Sequence, residues 1–348
     1  MLITNDDLLR EQTLISTLEN KPEAKERRLA QFFPDQEAFD LDIIVDKFKS
    51  TSIKAGSIIG FNSGTPIRNR GAVERLSAEL TKIAHSYFYD EKDLLRYAQP
   101  RNDNERLAVV SDQVRSIADL YEGIQDTKEF IRAKLVYDGR FVYKDDKSEL
   151  NVEFDLDLPE GAIVERAVYS NPLEVLQLEV EAFQERNGGL NPEYMVMNSK
   201  TLAKIKRNSA VRQQLYGDEA RLVRDTDLNE LVSELGLPPI AVDNDYTTFE
   251  GIEEDTVIKH LDDDKIVLHS SNLGATYNGP AKENNYQTGL FVQNIETFDP
   301  PAEKTIVGEV VVPVLQNYDG IQIINIVEPA EEEPEEPEVP EEPVVPEA

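Results

Sequence analysis

The sequence predicts an α+β fold, and three observations support that class. One segment, residues 102–134, has the apolar spacing of a single long helix. Several short segments in the second half are nearly continuous apolar runs, which are typical of buried strands. Helical segments alternate with these runs from residue 171 onward. A length of 348 residues with 40% hydrophobic residues is enough for about two domains with a sizeable core.

The charge and composition exclude several classes of function. The chain has 36 Lys+Arg against 68 Asp+Glu and a formal net charge of −32, which disfavours binding to nucleic acid or to an anionic membrane. It contains no Cys, which excludes disulfides, thiolate metal sites and cysteine nucleophiles. No apolar run approaches the roughly 20 residues of a membrane helix, and residues 1–20 lack the pattern of a secretory signal. We therefore expect a protein that is made and kept in a cytoplasm.

The N-terminal third predicts little regular structure. Residues 5–20 have the spacing of a short amphipathic helix that Pro22 interrupts. Residues 32–34 and 41–45 have the composition of an anchored extended segment. Residues 51–66 contain glycines and short β-type stretches without a helical period, which predicts a long, open β-rich excursion.

Residues 102–134 are the strongest helical segment. Asn102 is a favourable N-cap, and Glu105 stands three positions later, as in a capping box. Apolar residues then recur every three or four positions. A helix of this length is a rod of roughly 45–50 Å.

A β-hairpin is predicted directly after this helix. Residues 135–137 and 140–143 have strand composition and flank Asp138-Gly139, a dipeptide that suits a type I′ turn. Residues 149–157 then alternate strictly between apolar and polar positions, so one strand face is almost wholly acidic. The acidic face includes Glu149, Glu153, Asp155 and Asp157.

The second half predicts a sheet that is covered on both sides by helices. One helix begins at Asn171-Pro172 with Glu174 completing a capping box, another is capped by Ser199, and a third spans residues 227–235. The predicted strands are residues 194–197, 240–242, 265–269, 306–315 and 321–327. The tail, residues 328–348, has ten Glu and six Pro without a basic residue, which predicts a disordered segment.

The search for chemistry predicts no catalytic, cofactor or metal site. The sequence has no phosphate-binding glycine loop, dinucleotide fingerprint or nucleophile elbow. His85, His260 and His269 are far apart, and we expect a structural or solvated role for each. Residues 243–245 and 262–264 are acidic runs between predicted strands, where Asp and Asn favour turns over a cation site.

The order of these elements resembles the major capsid proteins of tailed bacteriophages, specifically the lambda-type group called major capsid protein E. Residues 30–45 resemble the family's aromatic, Pro-containing entry and the extended segment after it. Residues 64–71, which contain Arg68 and Arg70, are similar to its Ile-x-Arg-Gly-type stretch. Residues 103–134 resemble its spine helix, and residues 171–215 resemble the start of its axial domain. The resemblance covers roughly residues 28–327.

This resemblance implies a fold of the Hong Kong 97 type. The implied parts are an N-terminal arm (1–50), an extended loop (51–100), a peripheral domain with the spine helix (101–170), an axial domain whose final strands return towards the peripheral domain (171–327), and the tail (328–348). It also implies hexamers and pentamers of a virion shell around double-stranded DNA, capsid maturation, no cofactor, a portal protein and a separate scaffolding protein. A decoration protein is left open, and no Lys–Asn cross-link can be assigned.

Two alternatives remain, and one contact is predicted. A cargo-holding bacterial nanocompartment shares the implied fold, and a carboxylate-dependent hydrolase could use one of the Asp runs. Arg68 and Arg70 are two residues apart, so in an extended segment both side chains point to the same side. We expect this pair to contact an acidic face of a neighbouring subunit, such as the face of residues 149–157.

Overall fold

The computed structural model describes residues 7–21, 25–47, 75–145, 150–218, 220–251, 254–298 and 301–327. Its helices are α1 (Glu11–Glu19), α2 (Glu91–Ala98), α3 (Asp103–Tyr137), α4 (Pro172–Arg186), α5 (Ser199–Arg207), α6 (Ser209–Tyr216) and α7 (Asp225–Glu234). The predicted excursion at residues 51–66 and the predicted tail at 328–348 lie outside the described residues.

The strands in the first half are β1 (Asp35–Glu37), β2 (Asp42–Asp46), β3 (Arg75–Glu79), β4 (Thr81–Tyr89), β5 (Arg140–Asp145), β6 (Leu150–Asp155) and β7 (Ile163–Arg166). Those that follow are β8 (Tyr194–Met197), β9 (Ile240–Val242), β10 (Tyr246–Phe249), β11 (Thr256–Lys259), β12 (Lys265–His269), β13 (Gly274–Asn278), β14 (Pro280–Ala281), β15 (Gln287–Thr288), β16 (Phe291–Phe298), β17 (Pro301–Leu315) and β18 (Ile321–Ile326). Strands and helices are interspersed along the chain, so the α+β class is confirmed.

The long helix α3 has the predicted start. The Asn102 side chain accepts a hydrogen bond from the Glu105 N–H at 2.8 Å, and the Glu105 carboxylate accepts one from the Arg101 N–H at 2.7 Å. The helix comprises 35 residues. It is therefore about 52 Å long.

The end of α3 differs from the prediction. Residues 135–137 are its last turn and form no strand, and the hairpin across Asp138-Gly139 is wrong. This last turn buries Leu135, Val136 and Tyr137. Tertiary packing of their side chains therefore outweighs their β propensity, and the turn stays helical. Gly139, just after the helix, has φ +66°, and β5 and β6 then form a hairpin.

The first sheet is built around β17. This strand pairs antiparallel with β16, β4 and β13, and β1 adds in parallel to β13. On one face, Val292 and Val307 pack in a cluster with Leu14 of α1 and Ile117 of α3. On the other face, Val310 packs with residues of the β2–β3 ribbon and its exit, namely Ile43, Val45 and Leu80. The strand begins at Pro301, five residues before the predicted start.

The second sheet has the order β7-β18-β12-β8-β9. The bounds of β8, β9 and β12 are those predicted. One face packs on α4–α7, through Met195, Met197, Ile266, Leu268 and Ile324. The opposite face packs on the last turns of α3, with Val196, Val267 and Ile323 against Phe130, Ala133 and Tyr137. Helical cover on both faces is confirmed, and α3 contacts both sheets.

Two caps and two other local predictions differ from the structure. Asn171 precedes α4, but its amide donates to the Glu174 carboxylate at 2.6 Å and caps no backbone N–H. The cap of α5 is Asn198 and not Ser199, since the Asn198 side chain accepts from the Thr201 N–H at 2.8 Å. In the described N-terminal part, α1 begins at Glu11, and Phe32, the first residue of the predicted extended segment, ends a 3₁₀ turn over Ala30–Phe32.

Candidate functional site: predicted contact residues and a buried polar seam

The predicted contact residues are only partly described. Arg68, Arg70 and Glu149 lie outside the described residues. Glu153 and Asp155 belong to β6, of which the backbone alone is described. Asp157 follows this strand and is exposed, and its carbonyl oxygen accepts a hydrogen bond from the Lys47 ammonium at 3.5 Å. The described residues therefore do not test whether these charges pair, and the pairing stays a prediction.

The acidic run at 262–264 is a turn held by lysines. Lys200 and Lys259 contact the Asp263 carboxylate at 2.9 and 3.0 Å, and Lys204 contacts Asp264 at 2.6 Å. The hydrogen bond from Lys200, followed by that from Lys259, lowers the pKa of Asp263 to about 2. Asp264 has φ +60°, a conformation that Asp tolerates in turns. These contacts account for the run without a bound cation.

The run at 243–245 is also a turn, although folding brings a histidine beside it. Ligand atoms of Asp243, Asp245 and His260 lie within 4.8 Å of one another. However, both oxygens of Asp243 accept hydrogen bonds, from the Tyr137 hydroxyl at 2.7 Å and the Asp245 N–H at 2.9 Å. Lys25 already places an ammonium 3.6 Å from Asp245. Sequence spacing could not reveal this proximity, because His260 reaches the run only through pairing of β10 with β11.

His269 has a structural role. It is fully buried, and its ring contacts Phe32 edge-on and stacks on Tyr194, with centroid distances of 4.9 and 5.1 Å. Its Nδ1 lies 2.8 Å from the Ser270 carbonyl oxygen. Burial lowers the pKa of His269 to about 4, so the ring is neutral at neutral pH.

A polar seam runs along α3, and five of its eight members are buried. It consists of four cations and four carboxylates, which are Lys21, Arg27, Lys128 and Arg132 with Glu122, Asp126, Glu129 and Glu309. Glu122, Asp126, Glu129 and Arg132 recur at spacings of four, three and three, which places their side chains on one face of the helix. Lys128 lies beside that face, on the side that contacts β17. Opposite charges balance along the seam, so the buried ions compensate one another.

At one end, the seam fastens the N-terminal segment to α3. The Arg27 guanidinium contacts the Glu122 carboxylate at 2.7 Å and the Asp126 carboxylate at 3.0 Å. Further along, the Leu29 N–H donates to Glu129 at 2.6 Å. Burial raises the pKa of Glu129, although this hydrogen bond and Arg132 oppose the shift.

On the side of α3 that faces the first sheet, contacts of the seam hold the helix to β17 and β13. The Lys128 ammonium contacts Glu309 of β17 at 2.7 Å, and the Gln125 amide donates to the same carboxylate at 3.2 Å. Arg132 donates to the Thr276 hydroxyl of β13 at 2.9 Å. One turn later, the Tyr137–Asp243 hydrogen bond fixes the helix end beside the second sheet. The sequence signal for the seam is the pair Glu129 and Arg132, whose charged side chains stand next to Phe130, Ile131 and Ala133.

The long helix α3 contacts both sheets, and the ion pairs and hydrogen bonds of the seam hold it in place. A family model described as phage major capsid protein E matches residues 11–322. The chain therefore belongs to the phage major capsid protein E family. No curated protein matches the sequence.

Solved structures support the same fold. A prophage capsid protein from E. coli CFT073 superposes with a TM-score of 0.59 at 17% identity, over 91% of this chain and 99% of that one. A phage-related protein from Bordetella bronchiseptica RB50 gives 0.53 at 11% identity, over 90% and 96%. The capsid of phage XM1 gives 0.50 at 10% identity, over 88% and 94%. The fold is the Hong Kong 97-type capsid fold.

Family membership makes the chain a structural, non-enzymatic subunit of a phage capsid and a component of the virion. Subunits of this class associate with copies of themselves to form a shell. The finding contradicts the hydrolase alternative. Among the described helices, none combines the length and apolar character needed to cross a membrane.

Proposed function

We propose that this chain is the major head subunit of a tailed phage and that it forms hexamers and pentamers of an icosahedral shell around double-stranded DNA. The observation that carries the proposal is the family match over residues 11–322, which spans α3 and both sheets. The net charge of −32 supports a container, since an acidic wall does not bind packaged DNA tightly.

We further propose the division into an N-terminal arm (1–50), an extended loop (51–100), a peripheral domain (101–170), an axial domain (171–327) and a tail (328–348). One of the last two strands, β17, supports the idea that the final strands return towards the peripheral domain. β17 belongs to the first sheet with β4, whereas β18 lies within the second sheet between β7 and β12. Within the range of the extended loop, the structure has β3, β4 and α2.

The proposed partners follow from the same role. Assembly in the host cytoplasm involves a separate scaffolding protein and a portal protein, and a decoration protein is left open. Arg68 and Arg70 contact an acidic face of the next subunit, such as that of Glu149, Glu153, Asp155 and Asp157. The exposure of Asp157 supports this pairing.

Electron microscopy of the purified protein, alone and co-produced with the scaffolding protein of the same phage, tests the proposal. We expect closed shells or capsomer rings, with DNA in heads from infected cells. A strictly monomeric protein by sedimentation under both conditions contradicts the proposal. Shells that hold a cargo enzyme instead of DNA favour the nanocompartment.

A further inference from the structure

The described residues leave one face of the first sheet partly exposed at the end away from the β2–β3 ribbon. In the ladder, Ser86, Ile306 and Gln293 stand in one row across three strands, and Phe88, Lys304 and Ile295 stand in the next. Residues directly opposite in an antiparallel ladder share a face. With Ala84, these seven residues form what we call the open face.

The opposite side of β16 and β17 is covered, although His85 and Tyr87 of β4 are exposed on that side. Val292, Thr305 and Val307 are buried there, and two of them pack with α1 and α3. On the open face, Phe88 is 59% exposed and Ile295 is 40% exposed. Antiparallel sheets that face water on one side usually carry polar residues there. The open face instead presents two large apolar side chains.

The charge of the open face is also unusual for this chain. The protein has 68 Asp+Glu among its 348 residues, yet none of the seven residues is acidic. Lys304 lies directly between Phe88 and Ile295. It makes no ion pair with a described residue, whereas Lys82, farther along β4, contacts Glu283 at 2.6 Å.

The strand beside this face is β4, which pairs only with β17 among the described residues, so no described strand pairs with its outer edge. Residues 84–88 of this edge are Ala-His-Ser-Tyr-Phe. Exposed edges are commonly blunted by Lys, Pro or a bulge, because a free edge invites pairing with another chain. This stretch has no Lys and no Pro.

We propose that the open face is an interface that binds an acidic, partly apolar surface of a second copy of this chain. The chain itself supplies the complementary partner, because a subunit with a net charge of −32 presents carboxylates that Lys304 lacks in its own fold. Phe88 and Ile295 supply the apolar contact on either side of the cation. The inference rests on the proposed function, since it requires that copies associate into a shell.

The test compares two variants with the wild type. The first variant carries both Phe88→Ser and Ile295→Ser, and the second carries Lys304→Glu. We expect each to lower the fraction of protein in shells at least tenfold in sedimentation, with an unchanged circular dichroism spectrum and urea midpoint of the unassembled protein. Leu178→Ser is the matched control, because it removes a leucine that is 56% exposed on α4. Its yield should stay near that of the wild type.

A second readout identifies the occupant. Shells assembled from mixed ¹⁴N and ¹⁵N subunits are treated with a carbodiimide, which joins an amine to a carboxylate at contact distance. We expect Lys304 cross-links of mixed isotope composition, which arise only between copies. Wild-type yield in both variants, equal loss in Leu178→Ser, or Lys304 cross-links confined to one copy overturns the interface. Failure of the wild type to assemble under any condition contradicts the proposed function instead.

Discussion

His269 shows how burial fixes the charge state of a single side chain in this fold. Its ring lies against Phe32 and Tyr194 with no exposed surface, and its Nε2 has no hydrogen-bond partner among the described residues. The pKa of His269 is lowered to about 4, whereas an unfolded histidine titrates near 6.5. The unfolded chain therefore binds a proton first as the pH falls.

The sign of this linkage gives a pH prediction. Between about pH 6.5 and pH 4 only the unfolded state protonates this residue, so the free energy of unfolding falls by about 3 kcal/mol over that window. His269→Phe removes the proton uptake and should flatten the slope of unfolding free energy against pH by about one proton. Urea unfolding of the unassembled protein from pH 4 to 7 measures the slope. The exposed His85→Phe controls for the loss of an imidazole, and an unchanged slope in His269→Phe contradicts the account.

At the scale of elements, two glycines of this protein differ in the space around their Cα atoms. Gly308 of β17 lies under the Phe291 ring, and a Cβ there would stand 2.5 Å from that ring and 2.7 Å from the Ala84 Cβ. Gly123 lies within α3, and a Cβ there meets no atom within 4 Å. One glycine permits close packing of strands, and the other only weakens a helix.

These two positions form a matched pair of tests. Gly308→Ala should lower the free energy of unfolding by about 1–3 kcal/mol through overpacking. Gly123→Ala should raise it by about 0.5–1 kcal/mol, because alanine has the higher helix propensity. Chemical denaturation of both variants decides the matter, and the same sign of change at both sites is inconsistent with this packing.

The contact between α3 and β17 is the second prediction at this scale. Lys128 and Glu309 form a buried ion pair, with side chains that are each 8% exposed. Lys128→Met leaves Glu309 buried without its cation and should cost about 3–5 kcal/mol. Lys128→Met with Glu309→Met should cost less than the single change, because neither ion remains. A double-mutant cycle by urea denaturation measures both, and a double variant less stable than the single one contradicts the interpretation.

Elements with a strong local signal were predictable, and those decided by distant partners were not. The start of α3 was predictable because its cap lies within the four residues from Asn102 to Glu105. The strand β12 was predictable because it is an apolar run that is buried on both faces. The end of α3 was mispredicted because residues 135–137 prefer strands by composition but pack as a helical turn. The seam joins Arg27 to Asp126, 99 positions apart, and no local pattern encodes such a pairing.

At the scale of the whole molecule, charge opposes association. Subunits with a net charge of −32 repel one another unless cations lie at their contacts. We therefore expect Arg68→Ala with Arg70→Ala to leave the subunit folded and to lower shell yield, most strongly at low salt, where repulsion is least screened. Sedimentation across a salt series measures the yield. Arg75→Ala, which removes an exposed cation of β3, is the control. Wild-type yield of the double variant at every salt concentration refutes the contact.

The polar seam also has a mechanical consequence. The ion pairs of Arg27 and of Lys128 with Glu309 join α3 to two other segments of the chain, so a force that slides the helix along its axis loads both contacts together. Bonds loaded in parallel share the force, whereas bonds loaded in series break singly. In a wall made of such subunits, we expect these contacts to oppose sliding of α3 under in-plane shear.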